Sequence, residues 1–78
     1  MNNTKERVTR CFANVFPDLR EEEIERASTV SLPAWDSIAH VTLLSSIGEE
    51  FGQSFEPEDF ETLLSYPLIV DHLEKQAR

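Results

Sequence analysis

Cysteine and glycine are nearly missing from this chain, with one Cys and two Gly in 78 residues. A single cysteine cannot close an internal disulfide, and no Cys/His cluster has zinc-ligand spacing, so hydrophobic packing alone must hold the fold. A core of this size supplies only about 3–5 kcal/mol of net stability. Cys11 is read as a small core residue in a reducing compartment. Glycine scarcity argues against a turn-rich β fold, and no internal repeat or low-complexity tract is present. Cations are also few: 7 Lys plus Arg against 15 Asp plus Glu give a formal charge of −8. That balance repels phosphate backbones and anionic lipid, so nucleic acid and membrane surfaces are excluded as expected partners and a basic protein surface is favoured. There is no apolar run of membrane-spanning length, and the first twenty or so residues lack the continuous apolar stretch of a secretory signal. The expectation is a cytoplasmic, monomeric, single domain over residues 1–78.

What is present is helical periodicity. From Thr4 to Phe16, Val8, Cys11, Phe12, Val15 and Phe16 follow the i, i+3, i+4, i+7, i+8 rule, with Thr4 as N-cap and Pro17 as the stop. Residues 17–36 form a long connection. Within it Asp18 and Glu21 have capping-box spacing, and Leu19 to Ala27 is expected to wind briefly. Val30 and Leu32, alternating with Ser31, are expected to tie an extended segment to the core.

A second strong helix is predicted from Asp36 or Ser37 to Phe51, closed by Gly52. Its apolar set (Ile38, Val41, Leu43, Leu44, Ile47, Phe51) covers more than half the cylinder, which predicts the central element of the fold. Pro57 opens a short helix whose inner face is Phe60, Leu63 and Leu64. Ser65 caps a last helix with the stripe Leu68, Ile69, His72 and Leu73 before a polar tail. The fold class is therefore all-α, with three main helices, one short helix and a long loop between the first two main ones.

The residues able to carry chemistry converge on Asp36-Ser37-Ile38. A serine at the start of a rigid helix is accessible, and first-turn N–H groups favour an anion attached to it. Taken alone, the tripeptide is better read as an ordinary helix cap, the commonest use of these side chains. The longer stretch from Ala27 through Leu32-Pro33-Ala34-Trp35-Asp36-Ser37-Ile38, then Val41, Leu44, Ile47 and Glu49-Glu50-Phe51-Gly52, closely resembles the acyl carrier protein family. That resemblance covers nearly the whole chain. It implies a small acidic four-helix bundle in which Ser37 carries a covalent 4′-phosphopantetheine arm derived from coenzyme A. Asp36 would then cap the helix and help the phosphopantetheinyl transferase recognise the unmodified protein.

The resemblance implies a non-enzymatic phosphoprotein that holds an acyl or aminoacyl unit as a thioester for separate loading and transfer enzymes of fatty acid or secondary metabolite biosynthesis. No catalytic and no metal-ligating residue is assigned. Two departures from the common fatty-acid form stand out. Trp35 replaces the usual glycine before Asp-Ser, and Ala39 and Thr42 stand where acids would be expected, which points to a stand-alone carrier of a specialised pathway. Trp35, Ile38, Glu49 and Glu50 are candidate partner-binding residues, although Trp35 is equally well explained as a loop residue tucked onto the core. Val41, Leu44, Ile47, Phe60, Leu63 and Ile69 are either an acyl-chain slot or plain core.

His40 either packs or borders the arm. Asp36, Ser37 and His40 make a poor hydrolase site, since nothing orients the imidazole and no oxyanion-hole motif is present. His72 is expected to be a partly buried residue of the last helix. The alternative to a carrier is a non-catalytic acidic helical module that binds a basic partner.

Overall fold

A computed structural model describes residues 4–76, the side chain of Gln76 excepted. In chain order the helices are α1 (Thr4–Val15), α2 (Glu21–Glu25), α3 (Ser37–Phe51), α4 (Asp59–Thr62) and α5 (Tyr66–Gln76). The described residues contain no strand; an isolated antiparallel bridge joins Ser28 to Ser65. The fold is all-α. The five helices of the described residues are three long and two short, one more than the sequence count, because part of the 17–36 connection is helical.

α1 forms as its periodicity predicts, with Val8, Cys11 and Phe12 buried along one stripe. The position before Thr4, where a cap would stand, lies outside the described residues. Phe12 is fully buried and sits edge-on to Trp35 (5.3 Å between ring centroids) and to Tyr66 (5.5 Å). Such T-shaped pairs add about 0.5–1.5 kcal/mol each beyond simple burial. α1 packs against α2, α3 and α5, whereas α3 packs against α1 and α4. The hub is thus α1, not the more hydrophobic helix expected from the sequence.

The reason lies in coverage. α3 buries His40, Leu43, Leu44, Ile47 and Gly48, a single i, i+3, i+4, i+7, i+8 stripe. Ile38 and Val41 fall outside it and stay 79% and 52% exposed, because among the described residues no helix lies over that arc. The same correction holds for Val30, Leu64 and Leu68, all exposed, while Val70 is buried on α5 with Ile69 and Leu73. Val30 stands at the tip of a turn, so only Leu32 of that pair packs on the core.

α2 is capped differently from the expected Asp18–Glu21 box: the Glu23 carboxylate accepts from the Arg20 N–H at 2.8 Å. Ile24 is its one buried residue. α3 has the predicted limits, from the Asp36 cap to Gly52, which takes the left-handed conformation (φ 65°). Ser65 opens α5 as expected, its hydroxyl accepting from the Leu68 N–H at 3.4 Å. His72 is half-buried with its ring 5.8 Å from Phe55.

Candidate functional site

The segment before α3 is held by short-range hydrogen bonds. The Ser28 hydroxyl accepts from the Ser31 N–H (3.1 Å), the Leu32 N–H donates to the Ser28 carbonyl, and the Trp35 N–H donates to the Leu32 carbonyl, both at 3.0 Å. Trp35 then turns inward. It is 3% exposed and contacts Phe12, Phe16 and the His40 ring. Its assignment as a partner anchor is corrected on that ground: an indole buried among three rings offers nothing to an incoming surface.

Asp36 follows in extended conformation, with φ −93° and ψ −172°. Its Oδ1 accepts from the Ala39 N–H at 2.9 Å, and its carbonyl accepts the first helical bond, from the His40 N–H at 2.8 Å. Ser37 is the first helical residue and is exposed. Among the described residues no hydrogen bond engages its hydroxyl. A helix start leaves backbone N–H groups pointing outward; the Asp36 carboxylate takes that of Ala39, and no acidic side chain within the first turn of α3 occupies the others. Ile38 and Val41 form an exposed apolar margin beside Ser37.

Other expected members of the site lie elsewhere. Glu49 and Glu50 sit at the far end of α3, about 18 Å along the axis at 1.5 Å per residue. Glu49 is exposed, but Glu50 is spoken for: its Oε2 pairs with Arg7 Nε at 2.8 Å, and the Arg7 Nη2 donates to its carbonyl. The Arg7 guanidinium also lies 4.2 Å over the Phe51 ring. Glu50 therefore fastens α3 to α1.

The six slot candidates divide as well. Leu44, Ile47 and Ile69 are fully buried and Leu63 is 5% exposed, Phe60 is half-buried, and Val41 faces solvent. Together they form no slot. The nearby cleft, about 460 Å³, runs along the C-terminal half of α3 and takes only Leu44 and Phe60 from that set, with Gly48, Glu49, Gln53 and Phe55 among its other walls.

His40 packs, one of the two roles expected of it, but the bonds it makes were not legible in the sequence. It is 8% exposed, its Nδ1 accepts from the Trp35 indole N–H at 2.9 Å, and its Nε2 donates to the Phe60 carbonyl at 2.8 Å. Both ring nitrogens are used internally, so Asp36, Ser37 and His40 do not assemble as a triad. The imidazole instead ties the pre-helix segment, α3 and α4 together. Trp35 and His40 are five residues apart, a spacing outside the i+3 and i+4 pairs that a helical pattern reveals.

Cys11 is a buried free thiol whose pKa burial pushes up, leaving it protonated and inert near neutral pH. Among the described residues no group of three or more His, Cys, Asp or Glu could hold a metal ion, and no helix is long and apolar enough to cross a membrane. Comparison with protein-family models, curated proteins and solved structures finds no match to this chain.

Proposed function

We propose that the protein is an acyl carrier protein with the four-helix-bundle plan of that family, α2 being an additional short turn of helix in the connecting loop. Ser37 is the attachment point of a 4′-phosphopantetheine arm. The observation that carries this reading is the state of Ser37: an exposed hydroxyl with no hydrogen-bond partner among the described residues, at the first position of the longest helix, directly after a carboxylate engaged in capping. A serine that served only the helix would be the cap itself, and Asp36 already fills that position.

The arm, when bound, supplies a thiol that holds an acyl or aminoacyl unit as a thioester. The chain's own residues do the rest. First-turn N–H groups of α3 stabilise the phosphodiester, and the buried Trp35 fixes where the turn stands. Ile38 and Val41 offer the transferase and the loading and transfer enzymes an apolar contact beside the serine. Tethering keeps the intermediate at high effective concentration, while the acidic surface gives salt-sensitive docking to basic enzymes. For a small or polar cargo the closed core around Leu44, Ile47 and Ile69 needs no opening. We assign the protein to the cytoplasm and to a specialised acyl or aminoacyl pathway.

The test is intact-protein mass after incubation with coenzyme A and a broad-specificity phosphopantetheinyl transferase. Wild type should gain one phosphopantetheine and Ser37→Ala none. A folded wild type left unmodified by several transferases would remove the carrier reading and leave an acidic interaction module, for which the exposed Val30, Ile38 and Leu68 would be the contact residues.

A further inference from the structure

We infer that the Trp35–His40–Phe60 chain is an acid-sensitive latch that positions the Ser37-bearing turn: protonation of His40 releases Trp35 and loosens residues 33–37 while the rest of the helical core stays folded. The inference starts from hydrogen-bond chemistry. In the arrangement described above, Nδ1 must be bare to accept the indole N–H, and Nε2 must carry the proton to donate to the Phe60 carbonyl. Only the neutral Nε2–H imidazole satisfies both bonds. A second proton on Nδ1 sets two N–H donors against each other at the present 2.9 Å separation. It leaves the indole N–H buried without an acceptor and places a charge among the rings of Trp35 and Phe60.

Among the described residues no salt bridge reaches the imidazole to hold that charge. Asp36, at the start of the same helix, directs Oδ1 to the Ala39 N–H, and Asp59 on α4 directs Oδ2 to the Glu56 N–H. Glu58 and Glu61 by α4 are exposed; on α1, Arg7 is paired with Glu50, and Lys5, Glu6 and Arg10 are exposed. Among the described residues none of these groups forms an ion pair with the imidazole.

The consequence is local because few other bonds hold the segment. Pro33 and Ala34 are exposed, and among the described residues the stretch is anchored by the Trp35 N–H to the Leu32 carbonyl, the indole bond, the Asp36 cap and the packing of the indole on Phe12 and Phe16. The α1–α5 contacts through Tyr66 do not depend on His40. His40 acts as a positioning residue, and any effect on loading at Ser37 rests on the carrier reading. The latch itself is tested without loading.

Trp35 is the one tryptophan in the chain, so indole emission reports this site alone. Wild type acidified stepwise from neutral pH should show, before global unfolding, a red shift and a several-fold rise in acrylamide quenching while the far-UV circular dichroism is retained. His40→Asn keeps a non-titrating acceptor near the Nδ1 position and should show no such transition. His40→Gln keeps only the donor toward Phe60 and should be readily quenched at every pH. In wild type the indole N–H resonance and the His40 ring signals should follow one midpoint, a readout that requires no variant to fold. Trp35 emission unchanged until global unfolding, an acid transition retained in His40→Asn, or an indole resonance that stays fixed while His40 titrates would each overturn the latch.

Discussion

Removing the Asp36 carboxylate separates the local helix energetics from the chemistry assigned to Ser37. In the folded chain Asp36 Oδ1 accepts from the Ala39 N–H at 2.9 Å, at the exposed start of a 15-residue helix. Asp36→Ala deletes that acceptor, and the freed N–H returns to water instead of being stranded in a core. The loss should therefore lie in the middle of the N-cap range, about 1 kcal/mol. For a domain of this size that lowers the Tm by about 4–8 °C.

Asp36→Asn keeps an acceptor in place and loses only the charge at the helix N-terminus, about 0.3–1 kcal/mol and screened by salt. Thermal unfolding followed by circular dichroism at low and high ionic strength should rank wild type above Asn above Ala at low salt. At high salt wild type and Asn should converge while Ala stays lower. Equal Tm for Ala and wild type, or an Asn variant as damaged as Ala at high salt, would refute the capping argument.

Tyr66 carries an alkaline prediction. Its hydroxyl donates to the Lys5 carbonyl at 3.3 Å and bonds Thr9 Oγ1 at 3.0 Å, and burial raises its pKa above the ordinary 10.0. A raised folded-state value means stability that is present below pH 10.0 and lost as pH climbs through the folded value. Tyr66→Phe should cost about 0.5–1.5 kcal/mol at neutral pH and flatten the alkaline decline in urea titrations, leaving the share due to Cys11, which shifts the same way; an unaltered decline would contradict it. Gly52→Ala should cost about 1–2 kcal/mol through the left-handed backbone alone, since a Cβ there meets nothing within 4 Å; an unchanged urea midpoint would count against that. Millimolar magnesium should raise the Tm at low ionic strength by relieving repulsion in a chain of net charge −8, and the gain should vanish in high salt.

What was legible in the sequence is the local grammar of helices. The limits of α3 follow from a carboxylate that can cap and a glycine that can go left-handed, and α1 follows from its narrow stripe. Both are decided by residues a few positions apart. Coverage is decided by elements far along the chain, so Ile38, Val41, Leu64 and Leu68 look like core in a helical wheel and lie at the surface in the fold. At α2 the carboxylate of Glu23 on the Arg20 N–H stands in place of the box that the Asp18–Glu21 spacing suggested. Trp35 left two accounts open in the sequence, and the contact with Phe12, Phe16 and His40 decides for burial. Of the proposed site, Asp36 and Ser37 were readable because a cap and its neighbour are local. The tie from His40 to Phe60 joins residues on two different elements and leaves no periodic trace.

The central claim is that Ser37, and no other hydroxyl, accepts the arm. Its most direct test is the fragment mass spectrum of the protein after treatment with coenzyme A and transferase. The account predicts one phosphopantetheine on the peptide that contains Ser37, with Ser28, Ser31, Ser45, Ser46, Ser54 and Ser65 unmodified. The added mass on any other serine, or a folded protein that takes up none, would contradict it.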